Sequence, residues 1–385
     1  MKQQQLFSVF SLAIALPILT FGSPISFKVP LSASVFDVEE KTEKFQDPKE
    51  YTVAFWNLEN LFDFEDDPNN PGDDQYLPTN EWDEDRYQRK LDHLAKAIVS
   101  MKTDLLAVCE VENRRVLEDL IAHPDLVKDE WSIVHRDSPD RRGIDLALLY
   151  RKPFAESGES TLHPIDIGEG NISTRGILEV PMTLDGIPVT FLVNHWPSRF
   201  GGAEESSPKR KAAAAVARSI IDDHLGGDSS AEIILLGDLN DDPWDSSVRE
   251  VLKAVRELRA VTHPSNTAPR KEGQKSYSPR LWNPSWRFAN STDNGTYYYW
   301  NGWCWNCFDQ IIVSSGLLDG SGLQIMKDSI NVHAPDFMKD TERNAFRPAR
   351  FRKFRGRWEE GYSDHFAVKC KIAVSQPSIN DQESD

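Results

Sequence analysis

The chain has 385 residues, of which 39% are hydrophobic and 10% aromatic, enough to build a substantial core and too many for a disordered chain. Its formal charge of -17 excludes a broad basic surface that grips nucleic acid by counterion release, so an anionic substrate must be met by a local cationic cleft. With 4 cysteines in this length, no disulfide framework can carry the fold.

The N-terminus opens with Met1-Lys2, a short Gln run and an apolar stretch over residues 6–22, too short for a comfortable membrane span. Residues 1–22 therefore read as a signal peptide without a clear cleavage site, and the protein as secreted or periplasmic; only an uncleaved segment would tie it to a membrane. Residues 23–50 read as a leader or linker, and 51–372 as one catalytic domain followed by a polar tail over 373–385. The β-branched and aromatic run 51–56 predicts a buried strand. An acidic loop follows at 66–80. From 82 to 101 the residues Leu91, Leu94, Ile98 and Met101 recur at helical spacing and predict an amphipathic helix. Further strands are predicted at 105–109, 146–150, 189–193, 233–236, 311–313 and 366–368, with helices at 208–224 and 246–258. Several of these strands are apolar throughout, which implies sheets covered on both faces. Residues 266–305, rich in Trp, Tyr, Asn, Ser and Pro, predict long surface loops.

Polar residues recur where the apolar strands end, and strand ends are where a rigid scaffold holds reactive groups. Asn-Leu-Glu-Asn closes the first strand at Asn57, and Cys-Glu-Val-Glu-Asn the second at Cys109. Asn-His-Trp-Pro-Ser follows at Asn194 and Gly-Asp-Leu-Asn-Asp at Gly237. Phe-Asp-Gln opens a late strand at Phe308, and Tyr-Ser-Asp-His opens the last at Tyr362. Taken singly, each acidic residue is a solvated loop residue and each Asn a turn former. Their joint, ordered occurrence carries the argument.

That ordered set, together with Arg-Gly-Ile-Asp-Leu-Ala-Leu-Leu-Tyr-Arg at Arg142, resembles the endonuclease/exonuclease/phosphatase family over nearly the whole presumed mature chain. The resemblance implies a four-layer α/β sandwich, in which two packed sheets are flanked by helices and the site lies at one edge of the sheets. It implies metal ligation by Glu110 and Asp364, with Asn57 beside the ion or the attacked phosphate. Mg²⁺ suits such hard oxygen donors, and Mn²⁺ can substitute. Asp238 and Asn240 resemble the pair that positions and deprotonates the attacking water. His365 with Asp309 resembles the couple that contacts the phosphoryl group. His195 stands as acid for the leaving oxygen and Arg175 as a phosphate contact.

Three positions depart from the family pattern or stay open. The usual Gln before the metal-binding Glu is Cys109 here. Glu112 competes with Glu110 for the ligand position, although Glu110 directly follows the apolar strand. Asp145 either orients His195 or serves structurally. Arg347, Arg350, Arg352, Lys353, Arg355 and Arg357 form a cationic run just before the Tyr362 motif, which can rim the cleft or simply be solvated. Cys304 and Cys307 have redox or zinc spacing without a second pair, and read as a local disulfide or as loop packing. Cys109 and Cys370 lie in apolar strands and read as buried small hydrophobes.

The function implied is divalent-metal-dependent phosphodiester hydrolysis, with nucleic acid the leading substrate and no stable protein partner. A phosphatase or phospholipase acting on inositol phosphates, sugar phosphates or lipids is the enzymatic alternative, because fold does not fix substrate. A catalytically silent binding module on the same scaffold is the third reading.

Overall fold

Strand β1 (Glu50–Leu61) sorts its side chains by alternation. Val53 and Phe55 enter one hydrophobic cluster while Ala54 and Trp56 enter another, so both faces of the strand are covered. The same sorting holds in β2 (Leu105–Val111), where Leu105 and Ala107 face one way and Leu106 and Val108 the other. The computed structural model describes residues 48–375 apart from 69, 169–173, 272, 275–276, 289–294, 300–301 and 341–345.

The remaining central strands are β3 (Asp145–Tyr150), β4 (Ile177–Leu184), β5 (Ile187–His195), β6 (Ile233–Asp238), β7 (Asp309–Val313) and β8 (Ala367–Val374). In the first sheet the order is Leu323–Ile325, β8, β1, β2, β3, Ser132–Arg136, with Asn331–His333 also paired to β8. In the second it is Ala254–Val255, Leu281–Trp282, β7, β6, β5, β4, Phe154–Glu156, with Thr161–His163 also paired to β4. Both sheets are mixed: β1 runs parallel to β2 and β5 parallel to β6, while β8 and β7 join them antiparallel.

The inner faces of the sheets meet in one cluster that includes Val53, Phe55, Leu146, Phe191, Ile234, Leu236, Ile311 and Val368. Helix α1 (Glu84–Met101) covers the outer face of the first sheet. Asp83 caps it by accepting from the Arg86 amide, and Leu91, Leu94, Ile98 and Met101 turn inward against Trp56 and Val108. Helix α2 (Arg114–Ile121), capped by Asn113, joins the same layer. Helix α3 (Ala203–Gly227) covers the second sheet with Ala213, Ala217, Ile221 and Leu225 against Leu192, Leu235 and Ile312. The result is the predicted four-layer sandwich, and each large apolar side chain buried in it contributes roughly 1.5–3 kcal/mol.

Two local expectations need correction. Residues 246–258 do not form one helix: a π-type turn at Ser247–Val251 gives way to the edge strand Ala254–Val255 and then to the short helix Leu258–Val261. Lys253 at φ 61 breaks the helical path, and pairing with Leu281–Trp282 takes over. Within 266–305 the loops also carry a small hairpin, Tyr297–Tyr299 against Cys304–Asn306. The four cysteines are free thiols; Cys304 is exposed, and Cys109, Cys307 and Cys370 are buried. The expected signal segment, most of the leader and most of the polar tail lie outside the described residues. No helix among the described residues is long and apolar enough to cross a membrane.

Candidate active site

Register builds half of the site. His195 on β5 pairs with Asp238 on β6, and Asp238 pairs in turn with Asp309 on β7, so three strand ends put their polar side chains in one row. Asp238 and Asp309 are 2% and 0% exposed; Asp238 ends an otherwise apolar strand, and Asp309 begins one whose apolar run starts after Gln310.

Two bulges build the other half. The register of β1 shifts between Asn57 and Leu61, with Glu59 and Asn60 at positive φ, and that of β2 shifts at Glu110, whose φ is 60. A non-glycine residue in the left-handed region costs of order 1–3 kcal/mol and persists only where its surroundings hold it. Here the bulge breaks strict alternation and delivers Glu110 to the sheet end, facing the row on the second sheet. The turn before β8 completes the arrangement. Ser363 Oγ donates to the Asn57 carbonyl at 2.6 Å and accepts from the His365 amide at 3.0 Å, which fixes Asp364 and His365 against β1.

These residues line one open cleft of about 570 Å³ that contains Asn57, Glu110, His195, Asp238, Asn240, Asp364 and His365. Asn57 Nδ2 donates to Asp238 Oδ2 at 3.1 Å, and the Asn240 amide donates to Asp238 Oδ1 at 3.0 Å. His365 Nδ1 and Asp309 Oδ2 are 2.7 Å apart, and His365 Nε2 lies 3.6 Å from Asp238 Oδ2. His195 Nε2 lies 3.7 Å from Asp238 and 3.8 Å from Glu110.

Burial pushes the Asp238 carboxyl up to about 7; His365 opposes the shift and Asp309 adds to it. Burial works against the His365 cation, but the carboxylates of Asp309 and Asp238 outweigh it and hold the ring's pKa well above the ordinary histidine value. His195 goes the other way. Burial, then the guanidinium groups of Arg175 and Arg142, hold it well below that value, which favours the neutral ring. An imidazole held toward its neutral form can donate a hydrogen bond into the cleft.

Glu110 fits a divalent ion. Its carboxylate is 8% exposed, lines the cleft and accepts no hydrogen bond from the described residues; its nearest cationic atom is on Arg142 at 3.7 Å. Asp364 gives Oδ2 to Arg350 at 2.8 Å, while its Oδ1 lies 4.0 Å from His365 Nε2. Two hard oxygen donors on one cleft suit an ion that keeps most of its waters. The fit is poorer for Asn57, because its Oδ1 accepts from the Glu59 amide at 2.9 Å and its Nδ2 is committed to Asp238. Asn57 is better placed to hold Asp238 than to ligate. Asp238, Asp309 and His365 also cluster closely, but the His365–Asp309 hydrogen bond occupies that group internally.

Other expected residues lie elsewhere. Arg175, expected on the phosphate, is buried and donates to Asp140 and to the Trp196 carbonyl, which also accepts from Asn240 Nδ2. It braces the floor below Asn240. Arg350 is drawn inward to Glu59 at 2.6 Å and to Asp364, and Arg352 pairs with Glu359 at 3.0 Å, so neither guanidinium is an open rim charge. Glu112 accepts the Asp63 amide at 2.9 Å and anchors that loop instead of facing the ion site. Asp145 takes His135 Nε2 at 2.9 Å and the Ser138 amide at 2.8 Å, which is the structural alternative.

Sequence reasoning missed Glu59, Arg142, Arg199 and Phe200. Arg199 and Phe200 directly follow the Asn194 motif, and Arg142 opens the motif before β3, so adjacency to a motif was the available signal. Arg142 and Arg199 line the cleft; Arg199 also pairs with Asp241, Asp242 and Asp245. Glu59 is 2% exposed and sits inside the first motif, where nothing in the sequence distinguishes it from a turn residue.

Residues 52–374 match the Endonuclease/Exonuclease/phosphatase family. No curated relative matches the sequence significantly. Among solved structures, a mannosyl-6-phosphatase from Bacteroides thetaiotaomicron is similar at 17% identity, with 84% of this chain and 100% of that chain covered and a TM-score of 0.50. An endonuclease/exonuclease/phosphatase from Bacteroides vulgatus is similar at 14% identity, covering 85% and 99%, with a TM-score of 0.49. TDP2 from C. elegans is similar at 14% identity, covering 86% and 77%, with a TM-score of 0.48. The family match spans both sheets and every strand end that meets in the cleft, and the chain belongs to the endonuclease/exonuclease/phosphatase family of divalent-metal-dependent phosphoesterases.

Proposed function

We propose that the protein is an exported, Mg²⁺-dependent phosphodiesterase that cleaves nucleic acid. The observation that carries the substrate reading is an aromatic rim on the cleft. Phe200 is 94% exposed and Tyr299 46% exposed, and both line the cleft that holds Glu110, His195 and Asp238. Exposed rings beside a phosphoesterase centre suit stacking on bases, which is worth roughly 1–3 kcal/mol per base. A small sugar phosphate needs no such rim. The half-exposed Arg142 guanidinium supplies a local cation on a chain that is otherwise acidic. The N-terminal apolar run supports export.

Glu110 and Asp364 would hold the ion, which when bound neutralises charge on the phosphoryl oxygens. Asp238, fixed by Asn57 and the Asn240 amide, takes the proton of the attacking water, and Asn240 orients that water with its side-chain oxygen. His365, kept cationic by Asp309, donates to the developing oxyanion, and neutral His195 donates a further hydrogen bond. Turnover of single- and double-stranded DNA, RNA, mannose 6-phosphate, inositol phosphates and phospholipid vesicles, with Phe200→Ala and Tyr299→Ala beside the wild type, tests the proposal. Cleavage of nucleic acid with KM raised roughly tenfold in either variant supports it. Preference for a small phosphomonoester, with both variants unchanged, would replace it.

A further inference from the structure

Between β1 and α1 the chain makes an acidic turn in which oxygens of Asp66, Asp73 and Asp74 lie within 4.8 Å of one another. Like charges this close repel, and a solvated surface turn would let them splay. The middle carboxylate is not solvated. Asp73 is 1% exposed, its Oδ2 accepts the Asp67 amide at 2.8 Å, and its Oδ1 is buried without a hydrogen-bond partner. A buried carboxylate oxygen with no donor is destabilising unless a proton or a cation meets it. No Lys or Arg is paired with Asp66, Asp73 or Asp74 among the described residues.

We propose that Asp66, Asp73 and Asp74 bind a calcium ion outside the catalytic cleft. The donors are hard oxygens on an irregular loop, a setting that suits the flexible coordination of Ca²⁺ better than the strict octahedron of Mg²⁺. Asp73 supplies the buried oxygen, and the exposed Asp66 and Asp74 close on the ion from solvent. The ion's position gives it an effect on the cleft. Gly72 packs so tightly on Arg142 that a Cβ there would fall 2.1 Å from the Arg142 carbonyl oxygen, and the Asn70 amide packs against Gly143 in the same way. Arg142 in turn donates to Asn60 Oδ1 at 2.6 Å and lies 3.7 Å from Glu110. A bound ion therefore fixes the seat of the cation that faces the catalytic carboxylate.

Terbium luminescence on the full chain tests this, because Tyr76 and Trp82 lie beside the turn with ring centroids 5.4 Å apart and can sensitise the ion. Asp66→Asn/Asp74→Asn is the informative variant, since both side chains are exposed and the fold does not depend on them. The expected result is a sensitised signal displaced by CaCl₂ more readily than by MgCl₂, with affinity lowered at least tenfold in Asp66→Asn/Asp74→Asn and unchanged in Glu110→Gln. Saturating CaCl₂ should raise the wild-type Tm by roughly 5 °C and the double variant's far less. In chelator the double variant should melt no lower than wild type, because only repulsion has been removed. Wild-type affinity in the double variant, or a signal lost in Glu110→Gln instead, would overturn the proposal and leave the turn as a solvated acidic surface.

Discussion

Asn57 Nδ2 donates to Asp238 Oδ2 at 3.1 Å across the junction of the two sheets, joining residues 181 apart in sequence. With the Asn240 amide on Oδ1, this contact leaves the Asp238 carboxylate one orientation, facing the cleft. Asn57→Ala removes the hold while the backbone of β6 stays in place. Its turnover should fall roughly 10- to 100-fold, as when groups that orient a reactive residue are lost. Turnover and Tm measured on one preparation check this. Unchanged turnover would mean that backbone register alone orients Asp238.

Glu110, the proposed ion ligand, has a buried carboxylate that accepts no hydrogen bond from the described residues. Activity should vanish in excess EDTA and return with MgCl₂, and Glu110→Gln should shift the metal dependence to at least tenfold higher concentration. A metal titration of turnover reads this directly, and a curve identical to wild type would place the ion on other residues.

The arginines of the 347–357 run separate by their partners. Arg350→Ala would strip the buried Glu59 carboxylate of its ion-pair partner and leave it the Phe351 amide, so unfolding in urea should show a loss of roughly 3–5 kcal/mol. Arg352→Ala removes a half-buried pair with Glu359 that still touches solvent, and should cost less than about 1 kcal/mol. If the substrate is nucleic acid as proposed, Arg142→Gln should instead reduce the salt dependence of its binding by about one phosphate contact. Equal stability losses at positions 350 and 352 would contradict this division.

A pH effect on stability arises away from the cleft. His333 Nε2 lies 2.7 Å from Ser100 Oγ, and burial, with Lys369 adding, pushes its pKa from 6.5 down to about 4. Below pH 6.5 the unfolded chain takes up a proton that the folded chain refuses, so stability falls as pH drops from 6.5 toward 4 and this contribution then levels off. His333→Gln should remove that part of the slope. Tm profiles of both proteins that run parallel through this window would rule the histidine out.

The layers were legible because β1, β2 and β6 are apolar at successive positions, which only a doubly covered strand requires. Asp238, His195 and Asp309 were legible for the same reason, as polar residues that interrupt such strands at their ends. What the sequence hid was the partner of each polar group. Glu110 was preferred over Glu112 because it directly follows the apolar strand, but the bulge that carries it to the sheet end is announced by no residue type. Arg350 looked like an open cation because Glu59, its buried partner, lies 291 residues away in sequence. Residues 246–258 looked helical because the edge pairing that overrides local propensity comes from the distant segment Leu281–Trp282.

Single-turnover hydrolysis by Asp238→Asn tests the central claim most directly, because the substitution keeps the shape of the side chain and removes the base. The hydrolytic rate should fall by roughly two to four orders of magnitude, while substrate affinity changes far less and the protein stays folded by thermal unfolding. A folded Asp238→Asn protein that hydrolyses its substrate at the wild-type rate would contradict the assignment of water activation to this carboxylate.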